Sequence, residues 1–390
     1  MRQPVKIAYA TTYDASDITQ WSGTGYYVAK SLREQGILLE QTGPLDEKFR
    51  LRTKAKSLLC SILYQKRFLR QRDPAVLRSY AQQTAARLAT ISVDAVFSPG
   101  TIPIAFLRCR EPIVFWSDAT FAGMIDFYPA FTKLHSSSIR HGMAMEQSAL
   151  DRAVLAIYSS DWAARSAVEN YGVDPEKVKV VPYGANIECD RTAEDIEKMV
   201  DLRARKCCRL LFPAVDWIRK GGNLVVEIAT ALNARGLPTE LIIMGCQPPR
   251  ELVLPNFVRC LGFVSKSTRD GQDLIRSLFQ DSHFLVLPSM ADCTPVVFNE
   301  ASSFGLPSIT TNVGGIPSVI RDDLNGKTFA RTADPNTYAN YIKSTFADFN
   351  RYRQLALSSF KEYQTRLNWH VAGAAVKKLL TETLDRPVQR

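Results

Sequence analysis

Asp292 and Glu300 stand with seven residues between them in the segment PSMADCTPVVFNEASSFGLPSITTNVGGIP, Pro288 to Pro317. An apolar-periodic run, Val296 to Phe304, begins between the two acids. Its spacing predicts a helix, with Cys293 or Thr294 near the N-cap and Pro295 in the first turn. The first backbone N–H groups of such a helix have no partner inside it and are free to meet an anion. Glu300 then projects from the second turn while Asp292 stays on the feeding loop. Two acids so placed can grip two parts of a ligand whose phosphates lie at the helix start. The same pattern also suits an ordinary strand-loop-helix unit with two solvated acids, and the segment alone does not choose.

A second constellation is Trp217-Ile218-Arg219-Lys220-Gly221-Gly222, with a helix expected from Gly222. Two cations beside a Gly-rich helix start suit a diphosphate, because charge and backbone donors converge on one anion. The bland alternative is an exposed loop with two cations. A third is Gly23-Thr24-Gly25, between a strand at Val5–Ala10 and a helix at Tyr26–Gln35. Glycines there let backbone approach a phosphate closely, although GTG is not GxGxxG and a plain tight turn fits too.

The elements that must carry these residues alternate along the chain. Strand-like segments at 94–98, 112–116, 154–159 and 177–182 interleave with helical patterns. A second series follows, with strands at 209–213, 239–244, 257–263, 283–287 and 307–310. This alternation predicts two parallel, doubly wound sheets, which bind ligands outside the carboxyl ends of their strands. A length of 390 residues also favours two domains. The charged, nearly aromatic-free stretch Cys189 to Arg205 reads as the link between them. From Pro335 onward the chain reads as helical, ending in a long helix from Asn368 to Leu384.

Composition narrows the class. Hydrophobic content of 46% and charged content of 23% are those of a soluble globular protein. The opening MRQPVKIAYATTYD reads as a strand, not as a signal peptide, and no apolar run has membrane-spanning length. The eight cysteines form no CxxC and the four histidines no HxxxH or HExxH, which argues for a reduced compartment and against zinc. The net charge of +10 is uneven: nine basic residues and no acid lie between Lys48 and Arg72. Apolar residues from Leu51 to Leu69 recur at helical spacing among those cations. The stretch is either a core helix with a solvated basic face or a helix lying on anionic membrane. A nucleic-acid reading has less behind it, since the stretch has few aromatics and no reader motif.

Taken together, FPAVDWIRKGGNLVVEIATALNARGLPTELIIMG, VRCLGFV and the Pro288 to Pro317 segment, preceded by SGTGYYVAKSLREQG, FWSDATFAG, AIYSSDWAA and KVKVVPYGAN, resemble family 4 of the retaining glycosyltransferases in order and spacing. Each motif is loose; their order is specific. The resemblance implies the GT-B fold: two Rossmann-like parallel-sheet α/β domains facing a central cleft, with a long C-terminal helical segment. It implies an acceptor-side domain at 1–188, a nucleotide-sugar domain at 189–365, and a helix at 366–390 returning to the first. The implied reaction moves a sugar, with retention, from a UDP-, GDP- or ADP-sugar to a hydroxyl acceptor, with no cofactor and no metal. No Asp-x-Asp occurs in the chain.

Residue by residue, the resemblance gives Asp292 the donor-sugar hydroxyls and Glu300 the ribose, in a pattern that usually has glutamate at both positions. Lys220 matches the lysine on the diphosphate. The companion arginine falls at Val215, so Arg219 is the substitute. Gly23, Thr24 and Gly25 match the glycine loop, and Pro295, Val296 and Val297 the segment whose amides meet the phosphates. Phe263 joins the donor-binding set, and Asp118 stands where the family often has histidine near the reacting carbon. Trp21 and Tyr26 fall near the expected cleft. The expected catalytic set is thus Asp118, Lys220 and Asp292. The expected location is cytoplasmic, with peripheral contact through 48–72 on the inner membrane face and no nucleic-acid partner. A nucleotide-sugar epimerase or hydrolase on the same fold is the competing enzyme class.

Overall fold

The computed structural model describes residues 4–385. The chain divides into two compact units: unit 1 runs to Tyr183 and resumes at Trp369, and unit 2 is Gly184–Asn368. The sequence expectation set its boundaries at 188/189 and 365/366.

Unit 1 holds β1 (Lys6–Tyr9), β2 (Leu38–Gln41), β3 (Ala95–Ser98), β4 (Ile113–Ser117), β5 (Ala153–Tyr158) and β6 (Val178–Val180). They form one sheet in the order β2-β1-β3-β4-β5-β6, every pairing parallel. β3 and β4 are buried along their whole length, which is why AVFS and IVFWS read as continuous rather than alternating apolar runs. Around the sheet run α1 (Thr24–Glu34), α2 (Arg50–Tyr64), α3 (Pro74–Leu88), α4 (Phe121–Met124), α5 (Ser136–Arg152) and α6 (Asp161–Tyr171). Asp73 caps α3 by accepting from Ala75 N–H, with Pro74 in the first turn, and Gly172 ends α6 in the left-handed region.

Unit 2 repeats the plan with β7 (Cys208–Pro213), β8 (Thr239–Met244), β9 (Val258–Cys260), β10 (Phe284–Leu287), β11 (Ser308–Thr311) and β12 (Gly326–Phe329). Their order is β12-β11-β10-β7-β8-β9, again all parallel. Its helices are α7 (Ala193–Asp201), α8 (Gly222–Ala234), α9 (Arg269–Asp281), α10 (Val297–Ser302), α11 (Ile316–Val319), α12 (Pro335–Ala347) and α13 (Phe349–Thr365). The stretch 189–205, read as a link, holds α7, closed by a Thr192–Asp195 capping box and buried in unit 2 through Ile196, Met199 and Val200. The last helix, α14 (Trp369–Leu384), belongs to unit 1 and packs on α1. No helix among the described residues is long and apolar enough to cross a membrane.

Two expectations need correction. The helix expected over Val296 to Phe304 is only Val297–Ser302, and no side chain caps it. The core-helix alternative for the basic stretch fails. α2 buries only Thr53 and Cys60, while Leu51 is 84% exposed and Ile62 and Leu63 each 66%. Its apolar stripe faces outward.

Candidate functional site

In unit 2, strand order reverses between β7 and β10: the chain leaves β7 for β8 on one side and returns to β10 on the other. Loops at such a reversal part around a crevice at the strand ends. The loop after β7 carries Arg219 and Lys220, and the loop after β10 carries Asp292. Gly221, with φ of 80°, ends the first loop and opens α8. A Cβ there would lie 2.3 Å from Pro288 O, so glycine lets the two loops close on each other. Met290 N–H donates to Arg219 O at 2.7 Å and ties them.

That closure brings three of the expected site residues together. Lys220 Nζ meets Asp292 Oδ2 at 2.5 Å, and both side chains are buried. Arg219 reaches Asp292 Oδ1 at 3.5 Å, Asp216 Oδ2 at 3.4 Å and Ala291 O at 3.0 Å. Val215, at the usual arginine position, is exposed. The shorter acid is thus folded onto the two cations, neutralising charge that would be costly to bury alone.

Glu300, on α10, is also buried, and its carboxylate pairs with Lys266 Nζ at 2.5 Å. Phe298 N–H turns back to Pro295 O at 3.3 Å, and Asn299 and Glu300 N–H to Val296 O at 2.9 and 3.0 Å. The amides left for an anion at this end belong to Val296 and Val297. Phe263 lies on the loop between β9 and α9 with its ring exposed. Lys266 and Asp216 escaped the sequence reading. Lys266 sits in a polar loop with no recognisable pattern, and Asp216 is one acid beside two expected cations.

Gly23, Thr24, Gly25 and Asp118 lie in unit 1. Gly23, at φ 84°, starts α1 after two left-handed non-glycine residues, Trp21 and Ser22. Tyr9 Oη donates to Gly25 O at 2.8 Å, and a Cβ on Gly25 would fall 2.1 Å from Tyr13 Oη. Tyr9 therefore ties the loop, and a side chain at Gly25 would require the Tyr13 ring to move. The reversal in this sheet falls between β1 and β3, and a cavity of about 250 Å³ opens there. Asp118, at the end of β4, lines it with Tyr13, Trp21, Arg72 and Glu146. Glu146 is fully buried, and desolvation raises its pKa to about 7, against the opposing pulls of Thr101, Arg72 and the Phe121 backbone. Arg72 and Glu146 were not legible as site residues, because only the fold joins them.

Residues 209–348 match the family model described as glycosyl transferases group 1. A D-inositol 3-phosphate glycosyltransferase of Paenarthrobacter aurescens is 25% identical over 211 residues, 52% of this chain and 51% of the relative. A D-inositol 3-phosphate glycosyltransferase of Streptomyces bingchenggensis is 27% identical over 248 residues, 58% and 52% of the two chains. The chain spans about half the length of the curated relatives it matches. Among solved structures, a glycosyltransferase from Rickettsia africae covers 99% of this chain and all of its own, at 15% identity and a TM-score of 0.64. HepE of Anabaena in complex with UDP covers 97% of this chain and all of its own, at 16% identity and a TM-score of 0.63. Two six-stranded parallel sheets, a long C-terminal helix and these likenesses make the fold GT-B.

Proposed function

We propose, from the premise that the chain belongs to the group 1 glycosyltransferases through residues 209–348, that it transfers a sugar from a nucleotide-diphosphate sugar to an acceptor hydroxyl with retention. The observation that carries this reading is the buried Lys220–Asp292–Arg219 cluster at the strand-order reversal of unit 2. An incoming diphosphate competes with Asp292 for Lys220 and Arg219, and the displaced carboxylate is then available to the donor-sugar hydroxyls. Val296 and Val297 amides add donors to the same phosphates. Glu300 takes the ribose hydroxyls, releasing Lys266, and exposed Phe263 offers a ring face to the base.

Bond breakage between the anomeric carbon and the phosphate oxygen leaves negative charge on the diphosphate and oxocarbenium character on the sugar. The cations and amides stabilise that charge. The acceptor oxygen bonds the anomeric carbon from the same face, and its proton passes to the departing phosphate oxygen. Asp118, in unit 1, is the residue we assign to the acceptor. A double displacement would need a carboxylate facing that carbon as nucleophile. Asp292, paired with two cations, is a poor candidate for that part.

HepE is known in complexes with UDP and with UDP-glucose, which supports UDP as the first base to test ahead of GDP and ADP. A thermal-shift screen with the three nucleotides and their sugar conjugates decides the donor, since a ligand that binds only the folded state raises its stability. The anomeric configuration of the product, read by NMR, then tests retention. Inversion overturns front-face transfer, and donor turnover without transfer favours the hydrolase alternative. The rate should be unchanged in EDTA. We place the enzyme in the cytoplasm, peripheral on the inner membrane face, on the strength of the outward apolar stripe and basic residues of α2.

A further inference from the structure

Glu146 is 2% exposed and lines the cavity of about 250 Å³ at the β1–β3 reversal of unit 1. Its Oε2 accepts from the Thr101 hydroxyl at 2.8 Å, while Oε1 is buried with no hydrogen-bond partner. A carboxylate oxygen buried and left unbonded is costly, and native folds rarely keep one without a use. Two more polar atoms on residues lining this cavity are in the same state, Nε of Arg72 and the hydroxyl of Tyr13.

Arg72 and Glu146 each feel the other's charge, yet no ion pair or hydrogen bond joins them among the described residues. The guanidinium is held instead over the rings of Phe121 and Phe131, 5.1 and 5.0 Å from their centroids. A donor and an acceptor kept apart at one cavity suit a molecule that carries both kinds of group. Hydroxyls do so, since each donates and accepts through one atom. A carboxylate or a phosphate dianion only accepts, and it would meet Glu146 and Asp118 as well as Arg72. At roughly 30 Å³ per water the cavity holds about eight waters, room for one hydroxylated ring but not for a nucleotide.

Trp21 gives the cavity an aromatic wall. It stands at φ 46° beside Ser22 at φ 54°, both in the left-handed region. Its ring packs edge-on against Tyr183, 6.0 Å between centroids. A bulky residue held at such a φ is strained, and strain of this kind gathers at ligand clamps. An apolar ring face beside a few placed donors and acceptors can grip a sugar by its C–H face and its hydroxyls together.

We propose that this cavity is a subsite for a single polyhydroxylated ring, a sugar or a cyclitol, and that Glu146, Arg72 and Tyr13 determine its specificity. Glu146 Oε1 accepts from one ring hydroxyl, Arg72 Nε donates to another, and the Tyr13 hydroxyl bonds a third, with Trp21 against the ring face. Asp118 lines the same cavity, so the ring lies beside the residue assigned to the acceptor. The inference rests on the glycosyl-transfer reading and names the ring of its acceptor.

Ligand-observed NMR titration of the full chain tests it. The probes are glucose, galactose, mannose and myo-inositol, with inorganic phosphate and cyclohexanol as the competing chemistries. At least one polyol should bind saturably, and the panel distinguishes a sugar from a cyclitol. Tyr13→Phe removes a hydroxyl that has no partner in the fold, so the melting temperature should hold while affinity for that polyol falls about tenfold. Glu146→Gln, which keeps the side-chain shape, should also weaken it about tenfold. A merely structural role would not lower affinity at unchanged stability. Unchanged affinity in both variants overturns the proposal. So does a cavity that takes phosphate or cyclohexanol and no polyol, or one that takes none of the probes because water alone fills it. Nucleotide thermal shift, measured without polyol, separates the two readings. A shift without polyol binding removes this inference alone, and polyol binding with no shift by UDP, GDP or ADP removes the transfer reading.

Discussion

The shorter carboxylate at position 292 is already paired with cations inside unit 2. Lys220 and Asp292 neutralise one another in a buried setting, with Arg219 as a second partner. Removing Lys220 takes the closer of two cationic partners from buried Asp292 and leaves the longer contact to Arg219. Lys220→Ala is therefore expected to cost about 3 kcal/mol of unit 2 stability and to lower kcat/KM on the order of a hundredfold or more. Denaturant melts and steady-state turnover check both, and full activity in the variant removes Lys220 from the site. Lys220→Ala with Asp292→Ala should recover part of the stability and none of the turnover, which separates the structural role of the pair from its proposed catalytic one. Glu146 gives a second test at this scale. The unfolded chain releases this proton near pH 4.5 and the folded chain near 7, because burial disfavours the carboxylate. Wild-type stability should therefore fall as pH rises from 4.5 to 7 and level off above. Glu146→Gln, which keeps an acceptor for Thr101, should flatten that slope and be more stable above pH 7 by up to about 3 kcal/mol. Thermal melts of both proteins across this window decide it.

Elements show why some of this was legible and some not. The parallel sheets could be read because β3, β4, β7, β8 and β10 are buried runs of apolar and β-branched residues. β2 and β12, short edge strands without such runs, went unread. Periodicity located α2, but a periodic stripe does not say which way it faces, and only packing through Thr53 and Cys60 turned it outward. The candidate site divides in the same way. Arg219, Lys220, Asp292 and Glu300 stood out because loop and helix-start patterns surround them, whereas Lys266, Arg72 and Glu146 gain meaning only from partners distant in sequence. His283 is a further case, buried just before β10. Its Nδ1 accepts from Arg209 N–H at 2.9 Å, so Nε2 carries the proton and donates to Ala204 O at 2.6 Å. Burial, with Arg203 and Arg209 nearby, lowers its pKa to about 3. The unfolded histidine takes up a proton near 6.5 and the folded one does not, so unit 2 should lose stability as pH falls from 6.5 toward 3. His283→Asn, which keeps an acceptor facing Arg209, should show a shallower acid slope in fluorescence-monitored melts. An unchanged slope would assign the acid sensitivity to carboxylates elsewhere.

At the scale of the whole molecule, the chain returns to unit 1 after completing unit 2, so unit 1 is finished by residues made last. Trp369, the first residue of α14, is buried among Tyr27, Trp116 and Tyr183, with ring centroids 6.2, 5.7 and 5.6 Å away. A turn further on, a Cβ at Gly373 would come within 2.8 Å of Ser31 O, which is how closely α14 approaches α1. Lys377 Nζ then donates to Gln35 O at 2.7 Å at the far end of α1. Since α1 begins at Gly23-Thr24-Gly25, α14 braces the helix whose start carries the glycine loop. Truncating a buried tryptophan costs about 3–5 kcal/mol through lost transfer energy and the cavity left behind. Trp369→Ala should therefore lower the melting temperature of unit 1 while leaving unit 2 its own transition. Calorimetry with and without nucleotide distinguishes them, because a nucleotide bound through the proposed contacts to Lys220, Asp292 and Glu300 would raise only the transition of unit 2. If Trp369→Ala instead lowers both transitions equally, α14 is not confined to bracing unit 1, and the two units unfold as one cooperative body.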